Sequence, residues 1–595
     1  MNDSEKKTQV TKRRFFDRKR LARRVKRAEN VSQRHARRFI LRRIDNVRLV
    51  TSEITTWLVL VGLLIATLGL QQAWSAMAYT TQGRQNGGTY VEGVVGSIDT
   101  LNPLLASNEA EASAARLMFS SLYNYDNTGA LHTDLASSMK VDDAKNYTIT
   151  LREASWQDGE AITADDVVFT IGLIKNPQVR SPLRINWTDV SVKKIDQKTV
   201  EFSLPATYAA FPHALTFPIV PMHVLEGVEP GSIREASFSQ NPVGSGAFKF
   251  RRLQTADLTN ASRVVQLVPN ENYYGAQPKL ARFELRAYSD EASLTRAVKN
   301  GEVTGAAGVT SALANDERPA QYETISESLD KGVYLLFNLK NPILQDKSVR
   351  RALQLATDSA AVRQAIGGGV KELDGPILST YLPSDVAKAP EIDADKASKT
   401  LDDAGWTLKD GVRTKDGQEL KLTITTTNNS DYKKILELVR KQWKAIGVTV
   451  ETNEVDADSA ASNFVQSVLQ PRNFDVLLYE LALGADPDVY AYWHSSQATS
   501  TGYNFSNYSN QLADAALASA RSRLESDLRT AKYSQFVEQW LNDAPAIALY
   551  QSASEYLVNK NSDISAPEGA LASLSDRYAR VSEWTVLPTT VYKTP

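Results

Sequence analysis

Between Ile54 and Leu70 the chain carries no charge at all, and this is its only apolar stretch of bilayer length. About twenty mostly apolar residues suffice to cross a membrane, so a span over 54–78 is expected. The flank sets its direction. Eighteen of the first fifty residues are Lys or Arg against five Asp or Glu, a net of +13, which leaves −14 on the remainder of a chain whose total is −1. Basic flanks stay in the cytoplasm because moving Lys or Arg across costs several kcal/mol each. Everything after the span is therefore expected outside the cytoplasm.

Ala76-Met77-Ala78 offers a small-x-small cleavage site. The long basic segment before the apolar run, with Trp57 and Trp74 at interfacial positions, instead favours an uncleaved signal anchor over a short signal peptide. Residues 1–50, with Phe15, Phe16, Phe39 and Ile40 among the arginines, read as a segment lying on an anionic membrane surface. No nucleic-acid-binding motif accompanies them, so nucleic acid is not an expected partner.

The chain has no cysteine, so it has no disulfide, no thiolate nucleophile and no lipid-bearing cysteine as a tether. The extracytoplasmic part is too long for one compact core. Its patterning switches repeatedly between periods of 2 and 3.6, which favours α/β lobes over a sandwich or a bundle. Strands are expected over 90–95, 148–151, 200–204, 264–267, 332–339, 420–426 and 448–452. Helices are expected over 109–123, 164–174, 348–366 and 432–446. Thr163 is placed to cap the second of these helices. Thr80 to Gly88 reads as a flexible spacer.

Seven segments occur in one order: IDTLNPLLA at 98–106, YTITLREASWQDGEAITADDVVFTI at 147–171, NPVGSGAFKF at 241–250, NENYYGAQPKLARFELR at 270–286, YLLFNLKNPILQDKSVRRALQLATD at 334–358, LDDAGW at 401–406, and the DPD and NFSNYSN elements at 486–488 and 504–510. In that order they resemble the extracellular solute-binding proteins of family 5, the oligopeptide, dipeptide and nickel class of ABC importers. The resemblance covers about residues 89–560. It implies an α/β, two-lobed periplasmic-binding-protein-like ectodomain (type II, peptide-binding class) behind the N-terminal transmembrane helix. The expected plan is a basic cytoplasmic segment over 1–53, the anchor over 54–78, a linker over 79–88, lobe one over 89–334 with an inserted subdomain at about 126–240, lobe two over 335–545, and a return to lobe one over 546–595.

The motifs make sense as scaffold. Gly244 and Gly246 permit positive φ or close backbone approach in a turn, and Ser245 lacks the nucleophile elbow and any His or Asp nearby to activate it. Gly367-Gly368-Gly369 follows a helix rather than opening one, so it reads as a helix stop and not a phosphate cradle. The histidines, His35, His132, His213, His223 and His494, show no pair at ligand spacing, so neither a metal nor a cofactor is expected. His223 reads as scaffold and His494 as a cleft candidate.

The resemblance implies ligand contacts at Glu480, Asp486, Asp488, Tyr490, Trp493, His494 and Asn504. One departure matters: where peptide-binding relatives carry an acidic residue three positions before the Asp-Pro pair, to neutralise the ligand's amino terminus, this chain has Leu483. A buried ammonium needs a counter-charge, and the candidates are Glu480 and Asp488, Glu480 being the nearest on the same segment, although a strand residue there equally reads as pointing to solvent. The expected function is non-enzymatic: capture of a peptide or related solute between closing lobes for a membrane permease with cytoplasmic ATPases. The alternatives are a solute sensor on the same fold and, less favoured, an extracellular peptide hydrolase using Asp486 and Asp488.

Overall fold

A computed structural model describes residues 26–27, 30–31, 33–34, 51–257, 262–456 and 463–592. The chain divides into two units, one holding the N-terminal helix and the other running from Arg84 to Pro588. Of residues 1–50 only six helical positions lie within the described residues, and His35 lies outside them. Thr51–Tyr79 is one helix of 29 residues. Within it Thr51–Gln72, at a mean hydropathy of 1.9, is long and apolar enough to cross a membrane, and no part of it is buried by protein. The expected spacer is corrected. Thr80–Gln85 is a strand paired with Leu587–Tyr592, a partner from the far end of the chain that local composition cannot reveal.

Arg84–Pro588 is built on a ten-stranded mixed sheet. Its strands in chain order are β1 (Thr89–Val95), β2 (Phe248–Asp257), β3 (Ser262–Pro269), β4 (Arg282–Tyr288), β5 (Gly305–Val309), β6 (Tyr322–Phe337), β7 (Lys421–Thr427), β8 (Thr449–Val455), β9 (Val476–Ala482) and β10 (Ala546–Asn559). Across the sheet they run β8-β7-β9-β6-β10-β5-β1-β4-β3-β2. A separate four-stranded antiparallel sheet is built from residues 136–203.

The two long strands β6 and β10 join the lobes. At its C-terminal end β6 pairs with both β9 and β10, and at its N-terminal end with β10 alone. Successive side chains of a strand face opposite sides. Val333, Leu335 and Phe337 accordingly enter one lobe-two core with Ile424, Trp443 and Val476, while Tyr334 and Leu336 enter another with Trp493, Phe536 and Trp540. Lobe one has its own core, in which Tyr90, Phe283, Tyr578 and Trp584 pack together.

Most expected elements are present. The capping box at Thr163 is formed with Asp166 and opens the helix Ala164–Lys175. Two elements differ. The helix expected over 348–366 is two, Lys347–Ala356 and Ser359–Ile366, because Asp358 caps a fresh helix by accepting from Ala361 N. The strand expected from Gly332 begins ten residues earlier, at Tyr322. The expected return at 546–550 is the first part of β10, which starts against lobe-two residues 334–336 of β6 and continues to β5 in lobe one. Gly244 and Gly246 serve close approach: a Cβ on either would lie within 3.0 Å of the Met118 backbone. Ser245 is scaffold, its Oγ accepting from Ser120 N at 3.0 Å.

Candidate functional site

Where the lobes meet, a cavity of about 640 Å³ is bounded by Gly308, Val309 and Thr310 of lobe one and by Asn429, Tyr432 and Glu480 of lobe two. Glu480 also borders a second cavity of about 380 Å³, walled by Tyr479, Tyr492, Tyr503 and Phe505. Its charge is already matched. One carboxylate oxygen lies 3.2 Å from Lys331 Nζ, the other accepts from Ser552 Oγ at 2.7 Å, and the side chain is about one third exposed.

The DPD turn follows β9. The Asp486 carboxylate receives two bonds from the Arg529 guanidinium, at 2.8 and 3.0 Å, a geometry that only Arg offers. Asp488, buried, lies 3.4 Å from Arg521, and burial raises its pKa despite that cation. The turn is also braced internally, since Asp488 N donates to Asp486 Oδ1 at 3.0 Å and Tyr490 N to Asp488 Oδ1 at 3.2 Å.

Arg521 does more than face Asp488. Its guanidinium sits 4.5 Å from the ring centre of Tyr208, in the lobe-one subdomain, and 4.6 Å from that of Tyr490, in lobe two. Its carbonyl accepts from Ala209 N at 2.9 Å. Nearby, His213 of lobe one reaches Asp486 at 3.7 Å through Nε2, and its Nδ1 lies 3.0 Å from the Tyr125 hydroxyl. Burial lowers the His213 pKa, with Asp486 opposing, so near neutral pH the contact is mainly to a neutral ring. A cation between two tyrosines, one from each side, thus bridges the lobes.

The remaining expected residues divide. His494 stacks on Tyr490 at 4.1 Å, and its Nδ1 lies 2.9 Å from Ser496 Oγ. Trp493 requires correction: it is fully buried against Trp540 and Tyr334 and borders none of the cavities described here. Asn504 requires the same correction. It is fully buried and its amide is spent on scaffold, donating to His494 O and Tyr508 O and accepting from Tyr508 N. Among the other histidines, His223 pairs with Asp158 at 2.9 Å, as scaffold. Among the described residues no group of three His, Cys, Asp or Glu is placed to hold a metal ion.

Sequence reasoning missed the lobe-one side of the cleft. A cavity of about 470 Å³ there is bordered by Tyr125, His213, Arg116 and Asp576. It also missed Asp330, at the point where β6 leaves the ladder with β10 between Ser328 and Gly332. The signal was the Asp330-Lys331-Gly332 interruption just before an apolar run.

Fold and cleft together define a two-lobed solute-binding protein. The model of the bacterial extracellular solute-binding proteins, family 5 (Middle), matches residues 130–503, and the chain belongs to that family. It is 27% identical over 522 residues to the oligopeptide-binding protein AppA of Bacillus subtilis, covering 85% of this chain and 93% of that one. The structure of the same AppA in complex with a nonapeptide is similar at a TM-score of 0.64 and 25% identity, over 85% of this chain and 100% of that chain. NikZ from Campylobacter jejuni in complex with Ni(L-His) is similar at 0.68 and 27%, over 84% and 99%. Proteins of this family bind solutes and are not enzymes.

Proposed function

We propose that this protein is a membrane-anchored extracellular receptor of an ABC importer that captures peptides between its lobes and delivers them to a permease. The observation that carries this reading is the contact at Arg521, held by Tyr208 from one lobe and Tyr490 from the other, in a fold that also holds a cavity of about 640 Å³ between the lobes. Closure of this kind shields an extended ligand from water and lets backbone groups pair with it. The likeness to an oligopeptide-binding protein over most of both chains supports the peptide class. Glu480, Tyr490 and His494 are the contacts retained from the sequence, with Asp486 and Asp488 holding the turn that shapes the cleft.

The helix Thr51–Gln72 is the tether, with the basic segment on the cytoplasmic side against anionic lipid. Native mass spectrometry of the full-length protein is the test. A retained mass that fragments into amino-acid residues is expected. A retained nickel complex or sugar would replace the peptide class. Uptake of that peptide should require ATP and a permease, and a mature chain beginning at Tyr79 would remove the tether.

A further inference from the structure

Lobe two holds an aromatic cavity that neither the DPD turn nor the Arg521 contact explains. Beside β9 five rings follow one another, Phe464, Tyr479, Phe505, Tyr503 and Tyr492, with successive centres 6.0, 5.9, 6.2 and 6.4 Å apart. All but Phe464 wall the cavity of about 380 Å³. Tyr479 packs on the lobe-two core that takes Leu477 and Leu481 from the same strand, and Phe464 stacks on it. Tyr503 is 54% exposed. A large ring left in solvent beside a cavity is apolar surface that a ligand can cover.

The walls are fixed in advance. The Tyr492 hydroxyl donates to Ala482 O at 2.6 Å. Arg472 donates through Nη2 to Thr499 O at 2.9 Å and Gly502 O at 2.7 Å, and its guanidinium lies 4.8 Å from the ring centre of Phe505. The loop that carries Tyr503 and Phe505 is thereby stapled to residue 472. A pocket held this way has little conformational freedom left to lose when a ligand enters.

Charge decides what fits. Among the described residues no carboxylate pairs with Arg472, so the wall contains an uncompensated cation. Glu480, the only acid on the described wall, is already matched by Lys331 at 3.2 Å. A cationic group would therefore meet net positive charge. An anion gains little either, because both Nη groups of Arg472 are committed to carbonyls and its Nε is buried. A flat, neutral ring suits every wall, since it can meet the four rings edge-to-face or offset-stacked. Glu480 also bounds the larger cavity between the lobes, so the two cavities adjoin.

We propose that this cavity is a specificity pocket for an aromatic side chain of the ligand, phenylalanine, tyrosine or tryptophan, with Tyr503 as the ring that covers it. The inference rests on the peptide reading and gives it a preferred residue. The ligand backbone occupies the cavity between the lobes, and the aromatic side chain turns off beside Glu480.

The test uses full-length protein and three octapeptide pools of otherwise equal composition, each carrying one aromatic residue, one leucine or one lysine at a randomised position. Affinity for the aromatic pool should exceed that for the leucine pool by about tenfold. Tyr503→Phe should keep the preference, and Tyr503→Ala should reduce it to less than about twofold. Because the side chain is exposed, both variants should unfold in urea with the parent. Equal affinity for the aromatic and leucine pools would overturn the pocket and leave the peptide reading standing, and so would tightest binding of the lysine pool. An aromatic preference that survives in Tyr503→Ala would overturn the assignment to this cavity. Failure of the parent protein to bind any pool would overturn both readings.

Discussion

The DPD turn and the hinge bulge are two buried acidic sites on either side of Leu483, and they differ in one respect. At the turn each carboxylate has its own arginine, Arg529 for Asp486 and Arg521 for Asp488. At the bulge Asp330 has none, and Oδ2 lacks even a hydrogen-bond donor. Buried charge is tolerated when paired and strongly penalised when alone. The first arrangement therefore braces the turn, whereas the second keeps a buried carboxyl that the fold leaves unpaired.

The largest effect should come from unpairing the turn. Arg529→Met strands Asp486 in a site where both side chains are mostly covered, and about 3–5 kcal/mol of stability should be lost in urea unfolding. The double variant Arg529→Met, Asp486→Leu should recover most of it. If the single variant is as stable as the parent, the turn is not paired in the way described.

At the bulge the sign reverses. The folded Asp330 carboxyl titrates at about 7 against an ordinary value of 3.8, so the fold favours its neutral form. The resulting penalty is absent below the unfolded value, grows through the interval, and is complete above pH 7. Ligand-free Asp330→Asn should match the parent near pH 4 and exceed it at pH 8, by on the order of a few kcal/mol. A parent that is the more stable of the two at pH 8 would mean Asp330 has found a partner.

The clasp is a smaller term. Arg521→Ala removes two cation–π contacts of about 0.5–1 kcal/mol each. It also strands Asp488, so the ligand-free closed population should drop severalfold. Small-angle scattering should then report a larger radius of gyration, and an unchanged radius would show that closure does not depend on Arg521.

The smallest effect is expected at Glu480, whose pair with Lys331 is partly exposed. Glu480→Gln should alter stability by less than about 1 kcal/mol and affinity for a free-amine peptide by less than about fivefold. A hundredfold loss would make Glu480 the counter-charge of the ligand's ammonium.

Much of this architecture is legible in residue order. The alternation Val333, Tyr334, Leu335, Leu336 announces a strand buried on both faces, Thr163 announces its helix, and the run from Ile54 announces a bilayer-length helix, because these signals act over one or two turns of chain. The site was less legible. Glu480 borders the cavity between the lobes and Tyr490 packs on Arg521, whereas Trp493 and Asn504, two equally plausible neighbours, are fully buried. Asp330 gave only the hint of an interrupted strand.

What the sequence determined by itself is the α/β alternation, the family and the apolar N-terminal helix, all of which follow from local periodicity and motif order. Tertiary structure alone decided which carboxylates are paired and which, such as Asp330, are not. Arg521 and Arg529 reach the DPD turn from later helices, Lys331 is drawn to Glu480 by the pairing of β6 with β9, and Asp330 is walled in by Leu483 and Leu571 from two separate segments. Charge pairing and desolvation depend on distances between residues far apart in the chain, and those exist only once it has folded.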